Sequence, residues 1–272
     1  MNSLIPLKDF QVYLNRIDLS SNTIRSYVGT MRLFLDRYDK INFKNIALFK
    51  SYLIGNYKTQ TVNLRLQGLN KYLEFIGKGQ MKVKLVKIQQ KNFLENIISN
   101  EDYIFMKESL KSEGKLKWYF IIWIMGATGV RVSELLQIKA EHIAQGYIDL
   151  YSKGGKTRRI YFPTVLIEEI EQWLREKNLF SGPIFLNRSG NLLTTTGIAL
   201  VLKYHAEKYG IRKESVYPHS FRHLFAKNFL ERFNDLALLA DLMGHKNIET
   251  TRIYLRRTAN EQRELIDKVI NW

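Results

Sequence analysis

Apolar residues recur every three or four positions through the first 77 residues, which predicts a small bundle of four helices. In the second helix Ile24, Met31 and Phe34 fall on one face. The predicted helices run from Pro6 to Asn15, from a cap at Ser21 or Asn22, from Asn42 to about Gly55, and from about Thr61 to Gly77. The chain is therefore expected to open with a helical domain, residues 1–79.

The pattern changes over residues 80–96. Met81, Val83 and Leu85 alternate with lysines, so this stretch has no helical face and is predicted to be extended and basic. We interpret it as a linker between two domains; an edge strand of either domain is the alternative.

The rest of the chain is predicted to be mostly helical with one small β-sheet. Two strand-like runs, Tyr147 to Tyr151 and Arg158 to Phe162, are joined through Gly154 and Gly155, a pair that favours a tight hairpin turn. The predicted helices span Asn100 to Ser112, Lys117 to Met125, Val165 to Lys177, Thr196 to Tyr209, Ser220 to Phe233, Asp235 to Met243 and Asn247 to Arg256. The expected fold class is mainly α (α+β): a small N-terminal helical bundle and a larger, mostly helical domain at residues 97–257.

Residues 258–272 are predicted to form a separate tail helix. Its apolar residues recur at amphipathic spacing, and such a stripe needs a surface to cover it. They are Leu265, Ile266, Val269 and Ile270. The covering surface lies either on the same protein or on a neighbouring copy.

The charge of the chain points to a polyanionic partner. There are 42 Lys and Arg against 26 Asp and Glu, a formal net charge of +16, so nucleic acid is the expected partner. A generally solvated basic surface is the alternative; a membrane-surface protein is disfavoured because the cations are dispersed. The longest uncharged apolar stretch, Trp118 to Val130, is too short to span a bilayer and is predicted to be a buried helix. With no cysteine and no secretion signal at the N-terminus, we expect the cytoplasm.

Six side chains in the second half have the chemistry needed to break a phosphodiester without a metal ion. Guanidinium groups bind two phosphate oxygens and stay charged, imidazoles and amines transfer protons, and a phenol can act as a nucleophile. These residues are Arg131, Lys156, His219, Arg222, His245 and Tyr254. No nucleotide-binding Gly-rich loop and no acidic cluster for metal ions is found, so no cofactor is predicted.

Each of these residues taken singly also has a purely structural interpretation. Arg131 could be a surface arginine paired with Glu134 three positions on, and Glu134 is expected to orient a catalytic neighbour rather than to react. Lys156 could contact phosphate without a chemical role, and Lys153 is its rival in the same turn. His223, one step inside its helix, is expected to be structural.

Five short motifs carry these residues together. They are Gly-Val-Arg131-Val-Ser-Glu134, Lys-Gly-Gly-Lys156-Thr-Arg, His219-Ser-Phe-Arg222-His, Leu-Met-Gly-His245 and Thr-Thr-Arg-Ile-Tyr254. In order and approximate spacing they resemble the active-site motifs of the tyrosine recombinases, the family of phage integrases and bacterial Xer proteins. The resemblance is dense from Arg131 to Tyr254 and looser in the first half. Departures are small: Phe221 stands where Leu is usual, and Arg256 replaces a common His.

The resemblance implies a site-specific recombinase that cleaves and rejoins double-stranded DNA through a 3′-phosphotyrosyl intermediate, without ATP or metal. Tyr254 would be the nucleophile and Lys156 the general acid, with residues 1–79 binding core DNA and residues 97–257 forming the catalytic domain. A homo-tetramer on two synapsed sites is implied, with the tail docked in cis or in trans. The target sequence, a role in chromosome dimer resolution or in mobile-element movement, and the need for an accessory protein all stay open.

Two other functions compete with this hypothesis. A type IB topoisomerase shares much of the catalytic set. A non-catalytic helix-turn-helix protein could use Asp235 to Arg256 to read DNA.

Overall fold

The computed structural model describes residues 7–87, 96–152, 156–245 and 247–255, together with residues 267 and 270. The chain divides into two compact units, Met1–Gln90 and Lys91–Trp272. Helices predominate in both units, so the expected mainly α fold class with a small β-sheet is confirmed. Apart from residues 267 and 270, the predicted tail helix lies outside the described residues, as does the Gly154–Gly155 turn, and the functional domain boundaries stay predictions.

The first unit is a bundle of α1 (Leu7–Arg16), α2 (Ser21–Leu35), α3 (Phe43–Asn56) and α4 (Thr59–Phe75). Its core is rich in fully buried aromatic rings, and Phe10 meets Tyr72 edge-to-face at 4.9 Å between ring centroids. Asn42 caps α3 as expected. The expected cap of α2 is wrong by one residue, because the side chain of Ser20 accepts the Thr23 N–H.

The alternating basic segment lies against α4 of the first unit. Asn70 accepts the N–H of Val83 and donates to its carbonyl, each at 2.9 Å, and Asn63 does the same with Val86 at 2.8 and 2.9 Å. The two amide side chains thus take the place that a neighbouring strand would fill. This pairing holds the segment extended after the buried Met81, with Lys82 and Lys84 exposed.

The second unit surrounds one apolar helix. Its helices are α5 (Asn100–Ser112), α6 (Leu116–Thr128), α7 (Val132–Leu135), α8 (Ala140–Ala144), α9 (Thr164–Glu176), α10 (Thr195–Lys208), α11 (Pro218–Phe233), α12 (Leu236–Met243) and α13 (Glu249–Arg252). α6 is buried on nearly every side and packs against α5, α9 and α11, as its composition predicts. No helix among the described residues combines the length and the apolar composition that a bilayer crossing needs.

Strands β1 (Tyr147–Ser152) and β2 (Lys156–Tyr161) form an antiparallel pair in which Tyr147 faces Tyr161 and Ser152 faces Lys156. Alternate residues of each strand share a face, so Ile148 and Ile160 enter the core while Tyr151 and Tyr161 are exposed. The hairpin prediction is confirmed for the described parts of both strands.

The start of α11 and the length of the last predicted helix differ from expectation. α11 begins at Pro218, with Tyr217 before it, and Ser220 does not cap the helix: it is buried, and its hydroxyl accepts the Ile98 N–H at 2.7 Å. A proline already suits the first helical position, so no serine cap is needed there. The last predicted helix is shorter, since α13 passes into a 3-10 turn, Ile253–Leu255, that carries Tyr254.

His205 in α10 gives this unit a pH-dependent stability. Its side chain is buried, with Nδ1 lacking a hydrogen-bond partner among the described residues, and burial lowers its pKa to about 4. The unfolded value is about 6.5, so the free energy of unfolding falls as the pH drops from about 6.5 towards 4. We expect His205→Phe, which keeps a ring beside Tyr209, to lose less stability than the wild type between about pH 7.5 and pH 5.

Thermal unfolding of both proteins at the two pH values measures this difference. The other histidines contribute equally to the pH dependence of stability in both proteins. The difference between the two pH dependences therefore reports on His205. Identical pH dependence in the two proteins would contradict the assignment.

Candidate active site

The end of α6 delivers Arg131 to the site. The helix stops at Gly129, whose φ of 62° is left-handed and whose missing Cβ leaves room for the ring of Phe225, since an added Cβ would lie 2.4 Å from Cδ1. Two residues later Arg131 precedes α7, and its N–H and Nη1 both donate to Glu134, each at 2.8 Å. The Arg131 side chain remains 35% exposed, so part of its guanidinium can reach a ligand.

Arg222, on the first turns of α11, is buried with 3% of its surface exposed. Its Nη1 donates to the carbonyl of Gly129 at 2.5 Å, and its Nη2 donates to the carbonyl of Met243 at 2.6 Å. Nη2 also lies 3.1 Å from Nε2 of His245. A guanidinium has five N–H groups, so these three contacts leave donors for a further acceptor.

His245 follows α12 through Gly244, the left-handed cap that the sequence predicts. Because Arg222 can only donate, Nε2 of His245 must accept, and Nδ1 then carries the proton that is shared with the hydroxyl of Thr251 at 2.7 Å. Burial lowers the pKa of His245 to about 4, with Arg222 and Arg131 adding to the effect. The imidazole is therefore neutral at physiological pH.

Tyr254 lies between two imidazoles. Its hydroxyl is 3.1 Å from Nδ1 of His223, and its ring is parallel to that of His245 with 6.5 Å between centroids. Burial raises the pKa of the phenol, although Arg222 and Arg131 act in the opposite direction. The free protein thus holds this tyrosine protonated and hydrogen-bonded.

His219 and Lys156 are placed less completely. His219 is exposed at the start of α11, with its ring centroid 6.5 Å from that of His223. Its pKa is lowered by desolvation and by Arg222 and Arg131. The backbone of Lys156 opens β2, but its side chain and its rival Lys153 lie outside the described residues.

Glu134 links two arginines. Besides Arg131, it binds Arg158 of β2, whose Nη2 donates to Oε2 and whose Nη1 donates to the carbonyl of Leu242 at 2.5 Å. Burial acts to raise the pKa of Glu134, but Arg158 and Arg131 outweigh it and lower the pKa. These bonds fix the positions of both guanidinium groups, and a role for Glu134 in orienting a catalytic neighbour stays a prediction.

The structure thus brings five of the seven predicted residues into one network of contacts, through Arg131, Glu134, Arg222, His245 and Tyr254. Sequence reasoning missed the positions of His223, which it assigned to structure, and of Arg158 and Thr251. His223, Arg158 and Thr251 all lie inside the quoted motifs, so proximity in sequence to the predicted residues was a usable signal.

The network has the composition of a phosphodiester-binding site. Arginines supply fixed positive charge, neutral imidazoles supply proton-transfer groups, and a phenol supplies a nucleophile. Burial lowers the pKa of His223 as well, to about 4, with His219 and then Arg222 adding to the effect. The charge of the site therefore resides on guanidinium groups rather than on imidazolium.

Comparisons with known proteins identify the family of the chain. The sequence model described as the phage integrase family matches residues 91–261. Tyrosine recombinase XerA of Pyrococcus furiosus is 30% identical over 269 residues, covering 96% of this chain and 93% of the relative. Tyrosine recombinase XerD of Oceanobacillus iheyensis is 27% identical and covers 93% of each chain. The structure of XerH site-specific recombinase bound to difH substrate shares the fold with a TM-score of 0.71, at 24% identity and over 91% of this chain and 80% of XerH.

Together the fold, the site and these relatives define an enzyme of the tyrosine recombinase class. Within that class, the chain belongs to the phage integrase family.

The Glu134 ion pairs should be far more important for stability than the exposed pairs of this domain. Glu134 and Arg158 side chains are 15% and 10% exposed, and leaving a buried charge without its partner costs about 3 to 5 kcal/mol. We expect Glu134→Gln to lower the free energy of unfolding by about 3 kcal/mol, measured by urea denaturation.

The matched control is Asp149→Asn, which breaks the pair with Arg159 on the exposed face of the same hairpin, where the side chains are 33% and 41% exposed. Exposed pairs contribute about 0 to 1 kcal/mol. Equal destabilisation by the two substitutions would show that the buried carboxylate is not a special requirement of the fold.

Proposed function

We propose that this protein is a site-specific recombinase in which Tyr254 attacks a DNA phosphodiester. The observation that carries the proposal is the position of Tyr254: its hydroxyl meets His223, its ring lies over His245, and His245 is bonded to Arg222. Among fifteen tyrosines in the chain, this one is held beside a buried guanidinium and two neutral imidazoles.

In the proposed reaction the phenolic oxygen forms a bond to phosphorus while the bond from phosphorus to the 5′ oxygen breaks. The products are a 3′-phosphotyrosyl link and a free 5′ hydroxyl. The number of phosphoester bonds is unchanged, so a 5′ hydroxyl from another strand can reverse the step without ATP.

Arg131 and Arg222 stabilise the charge on the five-coordinate phosphorus, since fixed donors act most strongly where charge develops.

Two proton transfers complete the step. Tyr254 must lose its proton as it attacks, and the neutral imidazole of His223 is placed to accept it, with Nδ1 3.1 Å from the hydroxyl. The leaving 5′ oxygen must gain a proton, for which we propose Lys156, because β2 begins at this residue and runs directly to Arg158 in the site. His219, exposed at the mouth of the site, is proposed as a donor to a phosphate oxygen.

Double-stranded DNA is the proposed substrate. The net charge of +16 favours a polyanion, and relatives of this fold were solved with DNA: XerH on difH substrate, and lambda integrase on a COC′ core site. We also propose a homo-tetramer on two sites. A topoisomerase or a non-catalytic helix-turn-helix protein is not favoured by the relatives.

Tyr254→Phe should abolish covalent attachment to DNA while leaving binding intact, because it removes one oxygen atom from a half-buried ring. The probe is a randomised duplex library with a nick, so that cleavage releases a short strand and traps the complex. Denaturing electrophoresis measures the trapped complex, and sequencing of the captured DNA identifies the preferred site.

The control for the tyrosine is Tyr151→Phe, which changes a residue that is 86% exposed on β1. This variant should capture DNA as the wild type does. Covalent capture by Tyr254→Phe, or no capture by the wild type at any sequence, would overturn the proposed function.

Lys156→Ala should slow cleavage by about 100-fold or more, the usual contribution of a general acid. If Lys156 protonates the 5′ oxygen, a duplex of the captured sequence with sulfur in place of that oxygen should restore the cleavage rate of Lys156→Ala, because a thiolate leaves without a proton. Single-turnover rates on the two substrates give the comparison, with Lys153→Ala as the control. A lysine that only contacts phosphate would show no rescue by sulfur.

A further inference from the structure

We infer that Arg158 is a positioning residue that ties the Arg131–Glu134 pair to the turn carrying His245. The inference rests on the proposed function and adds to it a residue that does not itself touch the reacting atoms. Arg158 is only 10% exposed in its side chain, whereas the Arg131 side chain is 35% exposed. Its charge is already paired with the Glu134 carboxylate, whereas the contacts of Arg222 are two backbone carbonyls and a neutral imidazole, so Arg158 is suited to holding protein groups.

The first contact of Arg158 is with the carboxylate of Glu134. Its Nη2 donates to Oε2, the same oxygen that accepts the N–H of Arg131, while Oε1 accepts Nη1 of Arg131. When a phosphate attracts Arg131, the carboxylate still has Arg158 as its counter-charge. Glu134 then keeps its place and its negative charge during the reaction.

The second contact is with the end of α12. Nη1 of Arg158 donates at 2.5 Å to the carbonyl of Leu242, next to the Met243 carbonyl that Arg222 holds at 2.6 Å. Carbonyls in the last turn of a helix lack intrahelical partners and carry partial negative charge, so cations bind them well. Two arginines from different elements therefore fix the residues directly before Gly244 and His245.

Gly244 is shaped for this arginine. Its φ is +61°, and a Cβ added there would lie 2.3 Å from Cδ and 2.9 Å from Nε of Arg158. The side chain thus passes over the bare Cα on its way to Leu242. Gly210 at the end of α10 has a similar φ of +70°, but no atom of the described residues lies within 4 Å of an added Cβ, which separates the steric effect from the backbone effect.

Arg159, the next residue, supplies a matched comparison. It pairs with Asp149 through two bonds of 2.8 Å on the other face of the hairpin, and its side chain is 41% exposed. Both arginines make a carboxylate pair on β2, but only Arg158 reaches the site. An effect on catalysis that is confined to Arg158 would therefore reflect its contacts with Glu134 and Leu242.

The test uses the full chain and a nicked duplex that the wild-type protein has captured from the randomised library. Single-turnover rates of covalent capture and binding of the same duplex are measured for Arg158→Gln, Arg158→Lys and Arg159→Gln, and thermal unfolding checks that each variant is folded. We expect Arg158→Gln to slow capture by about 100-fold, the effect of misplacing reacting groups by about 1 Å. Binding should change by less than about three-fold, since Arg158 is enclosed.

Lysine has one ammonium group and cannot span both acceptors, so Arg158→Lys should recover only part of the rate. Arg159→Gln should capture DNA at the wild-type rate. Equal rates for Arg158→Gln and Arg159→Gln, or a parallel loss of binding and capture in Arg158→Gln, would overturn the inference. Failure of the wild type to capture any DNA would instead overturn the proposed function.

A double-substitution cycle covers the case in which Arg158→Gln folds poorly. Gly244→Ala should slow capture more than Gly210→Ala, because only the first strikes Arg158. If that collision is the cause, adding Gly244→Ala to Arg158→Ala, which lacks the Cδ and Nε that an added Cβ would meet, should slow capture less than it slows the wild type. Full additivity of the two effects would count against the inference.

Discussion

The site depends on one constraint: the guanidinium of Arg222 is buried and must find acceptors inside the protein. It finds them at the carboxyl ends of two helices, in the carbonyls of Gly129 after α6 and of Met243 in α12. Such carbonyls have no partner within their own helix and lie at its negative end, so a buried cation there is compensated without a carboxylate. The backbone that these bonds hold leads directly to Arg131 on one side and to His245 on the other.

This arrangement also explains the distribution of charge. Burial, together with neighbouring positive charge, keeps His223 and His245 neutral, and burial keeps Tyr254 protonated. The carboxylate of Glu134 partly neutralises the positive charge of Arg131 and Arg158 through its ion pairs with both. A phosphate in the site would add negative charge beside the guanidinium groups. These groups would stabilise that charge without any group first changing its protonation state.

Much of the fold could be predicted from local patterns, because helical periodicity, the Asn42 cap and the Gly244 cap are properties of neighbouring residues. The error at the start of α11 could not be foreseen in the same way. The Ser220 hydroxyl, which was expected to cap the helix, accepts the N–H of Ile98, a partner 122 residues away in sequence. The same limit applies to the site. Motifs identified the residue types, but only tertiary structure shows that His223 meets Tyr254 and that Arg158 reaches Leu242.

Arg222 and Arg158 together hold the end of α12. Arg222 anchors Met243 from α11, and Arg158 anchors Leu242 from β2, so the last turn of α12 is fixed by two elements that approach from different parts of the fold. A single hydrogen bond would leave the turn free to rotate about it, whereas two bonds to successive carbonyls fix its orientation. Because His245 follows one residue after Gly244 and bonds to Thr251 ahead of Tyr254, that orientation passes along the chain to the phenol. The precision required of the reacting groups therefore originates in backbone carbonyls, which no inventory of catalytic side chains includes.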